Sequence, residues 1–447
     1  MSQLHFISLG CPKNRVDAEH MIGLALQEGH RLVDSPEESD TIIVNTCSFI
    51  GEAKKESIDA ILQMAEIKKK FGQKLVVTGC LAQRYSKELE TEMPEVDHFL
   101  GTADFTQIQS ALAKPDLIQI KAKRNLVSHE LQYLANYDLP RVNSMPKYTA
   151  YLKIAEGCDN ACAFCIIPKL RGKQRSRPIA DLVTEAENLA ESGVVEISLI
   201  AQDLTGYGHD LPGKPTLAQL LRALHKVSGI KWVRCMYAYP RSLSQDLIEA
   251  LALGGNILPY FDMPVQHGSD KVLRRMRRGK DQGKLTELLL DLRAKVPNLV
   301  MRSTVMVGFP GEDDDDFQKL LDFASAIKFE RLGVFKYSDE EGTTAYDLDQ
   351  RVPYKIKQAR FDKLMRLQRK IHKTKLKSMI GEVHEAIVEG PSDEHPLLLK
   401  GRLWSQAPDI DGVTYISSEQ ALTPGQIIKV QIKSAHDYDL VGEVVTD

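Results

Sequence analysis

Six of the seven cysteines in this 447-residue chain fall into two sets of three. Cys158, Cys162 and Cys165 form a tight C-x3-C-x2-C within YLKIAEGCDNACAFCIIP. Cys11, Cys47 and Cys80 are scattered, yet each closes a short apolar run: LHFISLGC, DTIIVNTC and KLVVTGC. A closed structural metal site normally takes four ligands, so three thiolates leave one coordination position free for chemistry. Two such sets predict two open metal centres that work together. Soft sulfur donors favour iron–sulfur or zinc. A disulfide framework is not expected in a chain of this size kept in a reducing compartment. The seventh, Cys235, sits in the strand-like WVRCMYAYP and reads as a small buried hydrophobe.

The elements around these residues explain how they would meet. Through the first part of the chain, 3–114, short apolar runs alternate with helical patterns: 4–9 then 17–28, 41–45 then 52–70, 75–78 then 82–92. This order predicts a parallel sheet with helices on its faces. The C-terminal strand ends of such a sheet share one edge, where ligands bind. Cys11, Cys47 and Cys80 each sit just past a strand end, so topology would gather them there. Residues 115–143 read as a linker. Residues 144–380 then show six further strand-like runs, at 151–155, 195–200, 232–238, 260–263, 299–307 and 331–337, separated by helical stretches. Six β-α units predict an incomplete parallel barrel with its active site at the C-terminal strand ends. The C-x3-C-x2-C begins just after the first of those strands. A basic stretch at 355–377, with ten Lys/Arg and one acid, reads as a helix with a solvated face. Residues 381–447 hold five short strands separated by Gly, Pro and Asp turns, which suits a small closed barrel of the OB-like kind. The fold class is therefore α/β with an all-β barrel appended.

The apolar share of 43% and charged share of 27% are those of a globular protein. No run of about 18 apolar residues offers a membrane span. The opening MSQLHFISLGCPKN lacks the basic flank and apolar core of a signal peptide, so a cytoplasmic location is expected. The net charge of −3 hides an asymmetry: residues 381–447 carry 12 Asp/Glu against four Lys/Arg, a net of −8. RNA binding relies on Lys/Arg neutralising phosphates. An acidic barrel argues against direct nucleic-acid binding and suits a basic protein partner.

An iron–sulfur cube held by three cysteines leaves one iron without a protein ligand. S-adenosylmethionine can chelate that iron, and one electron then cleaves its sulfonium to a 5′-deoxyadenosyl radical. The segment GCDNACAFCIIPKLRGKQRSRP resembles the signature of the radical-SAM methylthiotransferases. The three-cysteine N-terminal unit and a C-terminal TRAM-type barrel match that family in order and length over nearly the whole chain. SLGCPKN and DMPVQHGSDKVLRRMRRG resemble its RimO branch, and His267 stands where the tRNA-modifying branch usually carries serine. The resemblance implies a methylthiotransferase domain at 3–114, a radical-SAM core at 144–380 and a TRAM domain at 381–447. It implies two 4Fe-4S clusters, one on each cysteine set, and two uses of S-adenosylmethionine. One molecule would methylate sulfur at the auxiliary cluster on Cys11, Cys47 and Cys80. Another, cleaved at the Cys158, Cys162 and Cys165 cluster, would supply the radical that takes a β-hydrogen from an aspartate of small-subunit ribosomal protein twelve. The carbon radical would then capture the methylthio group. A one-electron donor such as a flavodoxin or ferredoxin is implied as well.

The same resemblance implies S-adenosylmethionine contacts: Phe164 and Gly308 near the adenine, Gln202 and Asp203 near the methionine moiety. Each has a plainer reading, with Phe164 as loop packing and Gly308 as part of the VGFPGE turn. Arg171, Arg175 and Arg177 read as a binding site for a carboxylate or a reductant's acidic surface, or as a solvated face. His267 reads as a structural residue, and the acidic run 313–316 as a helix N-terminus. Two other functions compete. One is a tRNA methylthiotransferase acting on a modified adenosine; the other is a non-catalytic metal-cluster scaffold that binds the ribosome.

Overall fold

The computed structural model describes residues 1–113, 124–240, 243–279 and 281–445. The expected boundary at residue 114, the first part of the 115–143 connection and the last two residues lie outside them.

The first sheet is built from β1 (Gln3–Ser8), β2 (Arg31–Leu32), β3 (Thr41–Thr46), β4 (Lys74–Gly79) and β5 (His98–Leu100), in the order β2-β1-β3-β4-β5. Every pairing is parallel. All six residues of β3 are buried, as expected of a central strand covered on both faces. The covering helices are α1 (Pro12–Gln27), α2 (Gly51–Phe71), α3 (Cys80–Glu92) and the short α4 (Ile108–Leu112). Two strands, β2 and β5, escaped the sequence reading because two or three residues are too few to show alternation. Helix α1 begins five residues earlier than its apolar periodicity does. Pro12 at its first position supplies the φ that a helix start wants.

The central unit is an open parallel sheet of β6 (Thr149–Lys153), β9 (Glu196–Ile200), β10 (Trp232–Cys235), β11 (Ile257–Asp262), β12 (Val300–Val307) and β13 (Arg331–Lys336). Their spatial order is their chain order, the arrangement of a barrel opened between its first and sixth strands. A two-stranded ribbon, β7 (Ala155–Glu156) with β8 (Arg175–Ser176), leaves β6 and flanks the loop bearing the cysteine motif, which leads into α5 (Ile167–Arg171). Helices α6 (Ile179–Glu191), α7 (Leu217–Leu224), α8 (Gln245–Leu251), α9 (Asp270–Arg275), α10 (Gln282–Lys295) and α11 (Asp314–Ile327) complete the β-α units. The apolar contacts of the sheet with these helices form the largest core, and Cys235 belongs to it.

The concave face of the open barrel carries a second core. There Tyr151, Trp232 and Tyr260 meet Val16 of α1 and two residues of the C-terminal barrel, Ile387 and Ala407. The interior that a closed eight-stranded barrel would fill for itself is thus filled by the two neighbouring units. The C-terminal unit is a closed barrel of β14 (Val383–Pro391), β15 (Leu399–Leu403), β16 (Thr414–Ser417), β17 (Ile427–Ala435) and β18 (Leu440–Val444), in the order β14-β15-β16-β18-β17.

The basic stretch is helix α12 (Tyr354–Ser378), with the expected solvated face and, beyond that expectation, a buried one. Lys357, Arg360, Leu364, Gln368, His372 and Leu376 recur at helical spacing along a buried side. Arg360 pairs there with Glu312 at 2.9 Å, and Gln368 donates to the Phe329 carbonyl.

Two buried histidines make the fold acid-sensitive. Burial, with Arg141 and Lys153 nearby, pushes His20 down to about 3; burial with Arg331 nearby pushes His372 down to about 4. Their folded-state values lie below the unfolded 6.5, so the unfolded chain binds more protons and stability falls as pH drops below that value. Between pH 7.5 and 5.5 each histidine is expected to contribute a loss of about 1 kcal/mol. Denaturant titrations of the wild type and His372→Gln at both pH values check this; an unchanged pH slope in the variant would contradict it.

Candidate active site

Each cysteine of the scattered set stands where the chain leaves the C-terminal edge of the first sheet. Cys11 is exposed at the N-cap of α1, Cys47 is buried just past β3, and Cys80 is the buried first residue of α3. Burial raises the Cys47 thiol and pushes Cys80 up to about 12; Cys11 adds to both, and Cys47 adds to Cys80. The second set lies in the loop between β7 and α5. Burial likewise raises Cys158 and pushes Cys165 up to about 12, with Cys162 adding to both. Among the described residues no three His, Cys, Asp or Glu side chains stand in ready metal-ligand geometry. Topology gathers the two sets without closing either round an ion.

A Gly-Cys pair recurs at 10–11, 79–80 and 157–158, and all three glycines have left-handed φ. A Cβ on Gly10 would come within 2.8 Å of the Cys47 Cβ, and one on Gly157 within 2.1 Å of the Lys173 carbonyl oxygen. Glycine therefore lets the cysteine loops approach their neighbours closely. The recurrence was available in the sequence, and the pairwise approach it serves was not.

Each set receives N–H donors at sulfur. Arg171 Nη2 lies 3.6 Å from Cys80 Sγ, and Arg278 Nη1 lies 3.5 Å from Cys162 Sγ. The Asn160 main-chain and side-chain nitrogens both lie 3.4 Å from Cys158 Sγ. Hydrogen bonds to thiolate sulfur set the potential of an iron–sulfur cluster and orient its ligands. Three thiols per set, with N–H groups aimed at their sulfurs, fit such a cluster at both places. Metal binding would displace the protons that burial favours on Cys47, Cys80, Cys158 and Cys165.

Between the sets lies a buried ionic group. Arg171 Nη1 is 2.6 Å from Asp17 of α1 and 3.1 Å from Glu156, and Nη2 is 3.1 Å from the Asn14 carbonyl oxygen of the side-chain amide. Lys153 pairs with the same two carboxylates. Burial disfavours the Glu156 charge, yet Arg171 and Lys153 outweigh it and hold the carboxyl at about 2. Gln202 donates to Glu156, and Asp203 accepts from Asn160 at 2.6 Å. The contacts thus run from Cys80 through Arg171 and Glu156 to Gln202, and from Cys158 through Asn160 to Asp203. Arg171 and Arg177 are each 2% exposed, which corrects the solvated-face expectation for them. Arg177 pairs with Asp181 and Glu185, and Arg175 donates to the main-chain carbonyls of Arg171 and Lys173. Arg171 and Arg177 therefore present no free surface to a reductant, and Arg175 is half-buried.

Phe164 meets Phe309 edge to face at a centroid distance of 6.4 Å. Gly308 donates its N–H to Glu312 at 2.6 Å, and the Lys357 side chain covers its Cα, where a Cβ would lie 2.3 Å from Cγ. His267 is fully buried, accepts from the Ser269 N–H at 3.0 Å and lies 3.6 Å from Glu312, the placement of a structural residue. Asp313 and Asp316 form a capping box at the start of α11, paired with Lys271. Sequence reasoning missed Asp17, Lys153, Glu156 and Arg278. It also missed Lys13, a buried lysine whose Nζ stands 3.0 Å from the Tyr237 ring centroid, beside Cys11.

Family models match in three successive stretches: Uncharacterized protein family UPF0004 over residues 3–101, the Radical SAM superfamily over 152–324 and the TRAM domain over 380–445. The open barrel with its cysteine loop thus belongs to a radical-SAM enzyme, a class that binds an iron–sulfur cluster and S-adenosylmethionine. Among curated relatives, the ribosomal protein uS12 methylthiotransferase RimO of Myxococcus xanthus is 54% identical over 99% of this chain and 91% of its own length. The enzyme of the same name from Clostridioides difficile is 45% identical over 100% and 99%. This chain belongs to the RimO family of methylthiotransferases. Among solved structures, the radical S-adenosylmethionine methyltransferase TsrM from Kitasatospora setae covers 77% of this chain and 76% of its own, with a TM-score of 0.57 at 14% identity. That likeness speaks for the fold alone. Among the described residues no helix is long and apolar enough to cross a membrane.

Proposed function

We propose that this enzyme attaches a methylthio group to the β-carbon of an aspartate in ribosomal protein uS12. The observation that carries the reading is full-length identity of 45–54% to enzymes named for that reaction. In this reading Cys158, Cys162 and Cys165 hold one 4Fe-4S cluster, and Cys11, Cys47 and Cys80 hold a second. When bound, the first with S-adenosylmethionine supplies a carbon-centred radical, and the second supplies the sulfur that is transferred.

The chain's own residues do the rest. Arg278 and Asn160 direct N–H groups at the sulfurs of one set, and Arg171 at the other. Burial of the Asp17, Lys153, Glu156 and Arg171 group keeps water out of the space between the units and fixes their relative position. Phe164, Gln202, Asp203 and Gly308 are proposed to line the S-adenosylmethionine site. Gln202 Oε1 is buried without a partner among the described residues, so it retains an acceptor for an ammonium group.

The C-terminal barrel favours a protein over RNA. Of its four Lys/Arg, Arg402 is buried and paired with Glu389 and with Glu196 of the central sheet, so the other eleven Asp/Glu still face only three Lys/Arg. A small redox protein of the flavodoxin or ferredoxin class is the proposed electron donor. The domain division at 3–114, 144–380 and 381–447 is part of the same reading.

Mass spectrometry of uS12 from cells lacking this gene tests the proposal. Loss of the methylthio mass on the target aspartate, restored by the wild-type gene, is expected. An unchanged signal on uS12, with loss of methylthio groups from tRNA instead, would overturn it in favour of the tRNA reaction.

A further inference from the structure

We propose that Lys13 holds the carboxylate of the substrate aspartate, placing its β-carbon beside the scattered cysteine set. The proposal rests on the reading of an aspartate side chain as the methylthio acceptor.

Lys13 lies in the first turn of α1, two residues past Cys11, and is only 6% exposed. Its ammonium stands over the Tyr237 ring, 3.0 Å from the centroid. A ring face attracts a cation but satisfies none of its three N–H donors in the way an oxygen does. Among the described residues no carboxylate lies within ion-pair distance of Nζ. Nor does any of their oxygens accept a hydrogen bond from it. At the end of a side chain only 6% exposed, an ammonium in that state is short of the acceptors that bulk water would give it, and an anion would complete it.

The other cations of the neighbourhood are engaged. Arg171 and Lys153 share Asp17 and Glu156, Arg302 pairs with Asp262 at 3.0 Å, and Arg278 donates to the Pro264 carbonyl and Cys162. Lys13 is thus the cation near Cys11, among the described residues, with donors to spare.

Tyr237 is itself held in an unusual state. It follows β10 at the C-terminal edge of the barrel sheet with φ +68, a left-handed conformation that an aromatic residue rarely adopts. Its main-chain N–H donates to Asp262 Oδ2 at 3.3 Å, and Asp262 is fixed in turn by Arg302. Such strain persists only where surrounding contacts enforce it, and it is concentrated at ligand clamps. The ring is thereby presented as a floor for the Lys13 ammonium. The first unit supplies the cation, the barrel supplies its platform, and the carboxylate of an inserted aspartate supplies the missing acceptor. A carboxylate seated there leaves the adjacent β-carbon next to Cys11.

The test uses the cluster-loaded enzyme and intact uS12 carrying either Asp or Asn at the target position. Lys13→Gln is expected to raise KM for the Asp protein about 10- to 100-fold, the scale of a lost charged hydrogen bond. It should also abolish the preference for Asp over Asn in competitive binding, and Lys13→Arg should restore part of that preference. Iron and sulfide contents equal to wild type report an intact fold. A wild-type KM with retained Asp preference in Lys13→Gln would overturn the proposal. Should that variant lose its clusters, the wild type decides: equal competition by the Asp and Asn proteins would overturn it, and strong Asp preference supports it. Failure of the underlying reading looks different, because the wild type would then modify no uS12 at all.

Discussion

Cys162→Ala is expected to abolish both S-adenosylmethionine cleavage and methylthio transfer, whereas Cys47→Ala retains the cleavage and loses only the transfer. The asymmetry follows from where each thiol stands. Cys162 lies in the barrel loop, in the field of Cys158 and Cys165, with Arg278 at its sulfur. Removing it takes one of three thiolates from the cluster proposed to split the sulfonium. Cys47 lies past β3 of the first sheet, in the field of Cys11 and against Gly10. Its loss empties the sulfur-holding site and leaves the barrel loop untouched. Chromatography of 5′-deoxyadenosine together with mass spectrometry of uS12 separates the two activities. Both products should fall to background in Cys162→Ala. Full methylthio transfer by Cys47→Ala would end the two-cluster reading.

Glu196→Gln is expected to destabilise the protein by about 3–5 kcal/mol, the scale for leaving a buried charge without its partner. Glu196 sits on β9 at 0% exposure between two guanidinium groups, Arg402 of the C-terminal barrel at 2.6 Å and Arg234 of β10 at 3.0 Å. Burial opposes its ionisation, but Arg402 and Arg234 outweigh that and hold the carboxyl at about 2. The amide keeps the shape and removes the charge, so the buried Arg234 is left facing a neutral group and Arg402 keeps Glu389 alone. Because the folded value lies below the unfolded 4.5, the stabilisation is present above that pH and is lost as pH falls toward 2. Urea unfolding at pH 7, followed by tryptophan fluorescence from Trp232 in the adjoining core and Trp404 at its edge, reads the loss. An unchanged midpoint would show that the barrel is held by its apolar contact with β9 and β10 alone. Replacing Glu196, Arg234 and Arg402 together with apolar residues should cost less than Glu196→Gln, since only the partly exposed Glu389 then loses a partner.

Much of this architecture was legible in local patterns. All six barrel strands and all five C-terminal strands lie where apolar alternation and turn residues place them. The reason is that parallel barrel strands and small-barrel strands are each long enough to carry a periodic signal. Strands β2 and β5 are too short for one, and the start of α1 is set by Pro12 rather than by apolar spacing. The inner side of α12 was not foreseen because it is lined by Lys357, Arg360 and His372, which composition marks as solvent-facing. Long basic side chains bury their stems while their heads find partners, and those partners lie on α11 and β13.

The sequence by itself determined the two cysteine sets, their places after strand ends, the three-part order of the chain and the acidic character of its last part. Those features are carried by residue type and short-range spacing, which a chain displays without being folded. Only the tertiary structure decided what stands between the sets. Asp17 meets Arg171 across 154 positions, Glu196 meets Arg402 across 206, and Lys13 reaches the ring of Tyr237. Such pairs leave no periodic trace, because each charge is stabilised by a partner that only the packed units bring near. Within any one segment the same residues read as ordinary surface.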